Sequence, residues 1–243
     1  AGLRSLADRL APSGLLHLFL YADAGRWEIH RTQKALSLLN AGTGSEGLHL
    51  GRELFETLPE GNRLARHHRE RWAVDCAPDA NFADMYLHPQ ETSYNLERLF
   101  AFIETAGLHF AGFSNPEVWD PSRLLQGELL ERAQALPPRQ QWELVEQLDP
   151  DISHFEFFLS AAPVERARWS DEALGLARGL VQPCLWGEPD PILGRNMEPI
   201  QLTDADRSLL RTVAEQPEQR LGALASPDQI RDLVDRQLLL LQE

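Results

Sequence analysis

The stretch that most constrains this chain lies at its start, where an amphipathic helix, a Pro/Gly turn and an apolar run follow one another before residue 22. Leu3-Arg4-Ser5-Leu6-Ala7-Asp8-Arg9-Leu10 spaces its leucines for one helix face, and Ala11-Pro12-Ser13-Gly14 stops it, because Pro12 lacks an N–H and disfavours a helical residue before it. Leu15 to Tyr21, Leu-Leu-His-Leu-Phe-Leu-Tyr, is too short for a stable helix and nearly continuous in apolar residues. It predicts a strand buried on both faces. Ala1-Gly2-Leu3 has no initiator Met and runs straight into the helix, so the chain is expected to begin in the middle of a fold.

Downstream, a helix is expected from about Trp27 to Leu39, then a Gly-rich loop from Asn40 to Gly47, then short helices at Arg52 to Leu58 and Asn62 to Arg71. Cys76 to Gln90 reads as irregular, with Pro78 and Pro89 and no sustained period. From Asn95 the period returns: Leu96, Leu99, Phe100, Ile103 and Ala106 mark one helix face, and Gly107 stands where a left-handed cap is wanted. Leu108 to Phe113 and His154 to Leu159 read as strands on either side of a helical stretch from Pro121 to Leu148.

Four segments resemble the class I S-adenosylmethionine-dependent methyltransferases. The helix ending in Leu10-Ala11-Pro12-Ser13-Gly14 looks like the turn that feeds the fifth strand of that fold. Glu104-Thr105-Ala106-Gly107-Leu108 resembles the turn before its last two strands. Tyr21-Ala22-Asp23-Ala24-Gly25-Arg26 and Leu87-His88-Pro89 are similar to segments of a bacterial subgroup. The resemblance implies the carboxyl-terminal part of a Rossmann-like α/β methyltransferase sheet over residues 1–162, with helical insertions at about 25–90 and 121–148. It also implies S-adenosyl-L-methionine as the methyl donor, bound largely by an amino-terminal half that precedes Ala1. The fifth strand's outer edge would then be open to self-association.

Residues 163–243 differ in character. Ser170-Asp171-Glu172 opens a helix expected to run to about Val181, Gln182 to Pro199 is a Pro/Gly-rich linker, and Thr203 and Ser226 sit as N-caps of two more helices. Leu238-Leu239-Leu240-Leu241 reads as a closing strand. The order suggests a mostly α module, winged-helix-like from about residue 200.

Charge and cysteine usage narrow the function. A net charge of -14 opposes general nucleic-acid binding and attraction to anionic membranes. No apolar run approaches the roughly 20 residues that span a bilayer. Cys76 and Cys184 are far apart and outside any CxxC spacing, which reads as free thiols in a reducing cytoplasm. No metal site is expected: His67 and His68 point to different faces of a helix, with no third ligand at suitable spacing. That basic island, Arg63 to Arg71, reads as a solvated helix face. Gly42-Thr43-Gly44-Ser45-Glu46-Gly47 fits GxGxxG by letter but follows a helix instead of a strand.

The candidate site lies where open α/β sheets bind ligands, beyond the carboxyl ends of their strands. Tyr21, Asp23, Gly25 and Arg26 are expected at its rim, with Tyr21 and Arg26 as substrate-binding residues, Gly25 permitting close backbone approach, and the Arg26 guanidinium either pairing an anionic substrate group or capping the sheet in a structural salt bridge. Asp84 to Asn95 is the densest polar and aromatic cluster. Pro89 holds His88 in extended backbone, so His88 and Tyr94 are the catalytic candidates, and Asp84 is expected to orient the His88 imidazole or meet the substrate. The methyl acceptor cannot be read from these residues. A different reading of the same chain is a non-catalytic regulatory or protein-interaction domain.

Overall fold

A computed structural model describes residues 2–164, 169–182, 185, 192–193 and 199–242. The chain divides into two compact units, Ala1–Val164 and Glu165–Glu243. Cys184 and most of the 182–199 linker lie outside the described residues.

The first unit is built on a three-stranded antiparallel sheet. After α1 (Gly2–Ala7), β1 (Leu15–Tyr21) forms one edge, β3 (His154–Ser160) the centre and β2 (His109–Phe113) the other edge. In the register, Leu15 faces Ser160 and Tyr21 faces His154. This puts Leu16, Leu18 and Leu20 on the same side as Phe155, Phe157 and Leu159, which are fully buried. α6 (Leu96–Thr105) and α8 (Pro138–Leu148) cover that side with Leu96, Leu99, Ile103 and Val145. Full burial of each such side chain contributes roughly 1.5–3 kcal/mol, so this face is the main stabiliser of the unit. Trp119 stacks on Phe113 at 4.3 Å and Phe110 meets Trp142 at 5.3 Å, filling the far end of the core with aromatic rings.

The other side of β1 corrects the sequence expectation of a strand buried on both faces. Leu15 is 55% and Phe19 52% exposed, with Phe19 stacked only on His154 and His17 on Phe158. Antiparallel pairing needs only one covered face, and the described helices that pack on this sheet lie on the Leu16 side.

Between β1 and α6 the chain makes a helical lobe: α2 (Trp27–Leu38), α3 (Ser45–Thr57), α4 (Arg63–His67), a π-helical turn (His68–Trp72) and α5 (Asp79–Tyr86). Its own core contains Ile29, Leu36, Cys76, Phe82 and Tyr86. α3 begins seven positions before the Arg52 expected from the sequence, inside the Gly-rich stretch. The reason is packing: a Cβ on Gly51 would stand 2.6 Å from the Phe82 ring, so this glycine is a contact position in the helix and not a breaker. α5 likewise forms where irregular chain was expected. Its eight residues bury only Phe82 and Tyr86, one i,i+4 pair, too few repeats for a period to be read.

α6 follows its sequence signals closely, with Asn95 accepting from the Arg98 N–H at 2.9 Å as N-cap and Gly107 at φ +69° after its end. After a 3-10 turn at Pro116–Trp119, the expected helix from Pro121 to Leu148 is broken into a second 3-10 turn at Pro121–Arg123, α7 (Gly127–Gln134) and α8, and Pro137 and Pro138, which cannot donate to a continuous helix, separate the last two.

The second unit runs α9 (Asp171–Leu176), β4 (Arg178–Val181), the short pair β5 (Ile192–Leu193) and β6 (Pro199–Ile200), α10 (Asp204–Glu215), α11 (Pro227–Asp235) and β7 (Leu239–Gln242). Capping boxes at Thr203 and Ser226 start α10 and α11. β7 pairs antiparallel with β4, so the helix expected to reach Val181 ends at Leu176 and its last residues become strand. A closing strand needs a partner, and Gly179 and Val181 are poor helix formers that yield readily to that pairing. Leu174, Val213, Leu221, Ile230, Leu233 and Leu238 form this unit's core. No helix among the described residues is long and apolar enough to cross a membrane.

Candidate functional site

At the carboxyl end of β1 two backbone segments lock together. Tyr94 N–H donates to Tyr21 O at 2.9 Å and Asp23 N–H to Tyr94 O at 2.8 Å, so residues 91–94 lie alongside the strand end. Across from them Gly25 N–H donates to Ile152 O at 2.9 Å. The close approach that Gly25 permits is therefore to the chain's own Ile152–Ser153 backbone, where a Cβ would stand 2.5 Å from three backbone atoms.

The turn at Ala24–Arg26 aims Arg26 inward. Its guanidinium lies 3.7 Å over the Tyr21 ring and is 5% exposed. Nε donates to Glu91 Oε1 at 2.8 Å and Nη2 to Oε2 at 2.6 Å, a bidentate pair with a carboxylate that is itself 10% exposed. His30 Nε2 and Gln33 Nε2 reach the same carboxylate at 3.0 and 3.3 Å, and Gln33 also donates to Met85 O at 2.9 Å. Burial raises the Glu91 pKa, but the hydrogen bonds from His30 and Arg26, the Arg26 charge and Gln33 outweigh it and hold the carboxyl at about 2. Ser93 donates its hydroxyl to Asp23, and Asp23 pairs with Arg98 at 3.3 Å. The result is a continuous polar chain from α2 through the 88–94 loop to α6.

Two hollows flank this chain. The larger, of about 920 Å³, is lined by His30, Gln33, Lys34, Tyr86, His88, Glu91, Ser93 and Arg98, with Gly42 and Thr43 from the Gly-rich loop. The smaller, of about 160 Å³, is lined by Tyr21, Arg26, Asp84 and Met85.

The candidate residues separate accordingly. His88 sits exposed at the rim of the larger hollow, its Nδ1 accepting from the Gln90 N–H at 3.2 Å. Asp84 is exposed and belongs to the smaller hollow with Tyr21 and Arg26, so it does not orient His88 among the described residues. Tyr94 is half-buried and packs on Phe102 with Arg98 over its ring, outside the lining of both hollows. Arg26, expected either to receive a substrate anion or to cap the sheet with a structural salt bridge, has its guanidinium enclosed and paired with Glu91. Of the residues that organise the site, Asp23 was expected at its rim, whereas Glu91, His30, Gln33 and Ser93 were given no role in it by the sequence reading. One signal was present: Arg26, His30 and Gln33 are spaced four and three apart, a polar stripe beside the buried stripe Ile29, Thr32 and Leu36.

No protein-family model matches the chain. It is 42% identical over 257 residues to the uncharacterized protein syc1184_c of Synechococcus sp., a match covering 99% of this chain and 61% of that protein. Two solved structures of PKMT2 from Rickettsia typhi match 99% of this chain and 54% of theirs. The first has a TM-score of 0.58 at 15% identity, and the second, in complex with AdoHcy, 0.60 at 14%. The chain thus shares its mixed α/β fold with these structures. It spans little more than half the length of the proteins it matches.

Proposed function

We propose that this chain is the acceptor-side and carboxyl-terminal part of an S-adenosylmethionine-dependent methyltransferase. The observation that carries this reading is the likeness, over 99% of the chain, to a fold solved with AdoHcy. The 920 Å³ hollow at the carboxyl end of β1 supports it, since that is where such sheets bind ligands. The donor itself is assigned elsewhere in the protein. The turn from β1 into α2, at Gly25, is filled by the Ile152–Ser153 backbone and does not fit an adenosyl group. Residues 1–162 are the catalytic-domain part, with His88 at the rim of the acceptor hollow and Tyr21 and Asp84 lining the smaller one. Among the described residues the outer edge of β1 is met by Tyr94 at Tyr21 and is otherwise unpaired, and that open part is the surface for self-association or for a further strand.

The test is transfer of tritiated methyl from S-adenosylmethionine by the complete protein to a dialysed cell extract, fractionated afterwards into protein, nucleic acid and small molecules. Label in one fraction, dependent on the protein, is the expected result. No label in any fraction would favour an interaction module, which the half-exposed Leu15 and Phe19 would suit.

The order α9, β4, α10, α11, β7 supports a winged-helix-like second unit, yet not a DNA-binding one. Arg231 is paired with Asp171, and Arg236 with Asp206 at 3.2 Å and Asp232 at 2.7 Å, so α11 presents no uncommitted guanidinium. Duplex DNA titrated at low salt should leave the fluorescence anisotropy unchanged. Salt-sensitive micromolar binding would contradict this. A cytoplasmic setting accords with Cys76, a buried free thiol that burial and Asp75 raise to about 11.

A further inference from the structure

His30 opens from α2 into the larger hollow with its side chain 35% exposed. Its Nε2 has two neighbours, Glu91 Oε1 at 3.0 Å and Ser93 Oγ at 3.4 Å. Glu91 is ionised, so it can only accept. Ser93 has a single hydroxyl hydrogen, which it donates to Asp23, so it meets His30 with lone pairs. Two acceptors on one ring nitrogen require that Nε2 carry the hydrogen. In the neutral ring Nδ1 then holds a lone pair, and among the described residues no hydrogen bond engages it.

We infer that His30 Nδ1 is the proton acceptor of this hollow, taking the proton that an N–H or O–H methyl acceptor must lose. The inference rests on the methyl-transfer reading and narrows it: the substrate is a nitrogen or oxygen nucleophile still bearing a proton, not a thioether or a tertiary amine. In the proton step the acceptor's N–H or O–H bond breaks and its electron pair stays on the acceptor atom. The proton forms the Nδ1–H bond, and the imidazolium later releases it to water. Glu91 is a positioning residue that acts through His30, fixing the tautomer and facing the cation that forms. Arg26 and Gln33 occupy the rest of its carboxylate, which gives the Glu91–His30 bond one direction. The other charged or titratable groups around His30 are Asp23 with its partner Arg98, Lys34 on the same helix, and Tyr86 and His88 on the wall. Among the described residues no carboxylate orients His88, and its Nδ1 accepts from the Gln90 N–H.

Two measurements test this. In the chain labelled with 15N-histidine, the His30 signal, assigned by its loss in His30→Gln, should show the Nε2–H tautomer, and Glu91→Gln should mix the tautomers. In the complete protein, with the labelled extract fraction as acceptor probe, His30→Ala should lower kcat by about 10²- to 10⁴-fold with a near wild-type melt, and free imidazole should restore part of the loss. An Nδ1–H tautomer, or a wild-type rate in His30→Ala, would overturn the assignment while leaving methyl transfer intact. A wild-type protein that labels no fraction would overturn the methyl-transfer reading itself, and the base with it.

Discussion

Arg26→Ala should lower the unfolding free energy of the first unit by about 3–5 kcal/mol, the loss expected when one partner of a buried ion pair is removed and the other stays behind. Glu91 would remain 10% exposed with His30 and Gln33 as its remaining side-chain partners. The loss is not a matter of the pair's attraction alone, since the bare alanine also withdraws the guanidinium from the Tyr21 ring. Urea denaturation followed by tryptophan fluorescence measures it. The pH dependence carries the same signature. Glu91 is held at about 2 in the folded protein against an ordinary value of 4.5, so its contribution is fully present above about pH 4.5 and is lost as the pH falls toward 2. The wild type should therefore lose stability over that window, and Arg26→Ala should lose less of it. If the variant instead melts like the wild type and only the acceptor KM rises, Arg26 contacts substrate after all.

Gly25→Ala is expected to cost about 3 kcal/mol, at the upper end of what overpacking usually does. The added carbon would lie 2.5 Å from Ile152 C, Ile152 O and Ser153 N. These are backbone atoms at the start of β3, and no rotamer change can move them aside. The flanking bonds, Ala22 N–H to Ser153 O and Gly25 N–H to Ile152 O, both at 2.9 Å, hold the two segments at this spacing. Relief must come from separating them, which would also shift Arg26 away from Glu91. Thermal melts with amide hydrogen exchange across residues 88–94 test both effects, and a change below about 0.5 kcal/mol with unaltered protection would refute the close approach.

The parts of the fold that were legible in the sequence are those whose causes are local. Asn95, Thr203 and Ser226 each cap the helix that follows, accepting from the backbone N–H three positions on. Gly107 takes the left-handed turn that its place after α6 demands. β1, β2 and β3 were visible as apolar runs bounded by Pro, Gly and Asn. At β4 and β1, where the reading departed from the structure, the cause lies in distant packing partners. β4 was taken as the end of a helix because its pairing strand lies near residue 240, and β1 was expected to be covered on two sides because an apolar run does not say how many layers it meets.

The site divides the same way. The sequence by itself marked the loop from Asp84 to Asn95 as the place of unusual chemistry, since Pro89 stiffens it and polar and aromatic residues crowd there. The tertiary structure alone decided which of those side chains face one another. Arg26 and Glu91 are 65 residues apart, Ser93 and Asp23 70, and His30 and Glu91 61. Helix and strand periodicity fix the direction of a side chain relative to its own element, over a few residues. The pairing of charges across the end of β1 is set by how the helical lobe docks on the sheet, and that depends on the burial of Ile29, Phe82 and Leu96 all at once, a collective packing energy that no single stretch of chain carries.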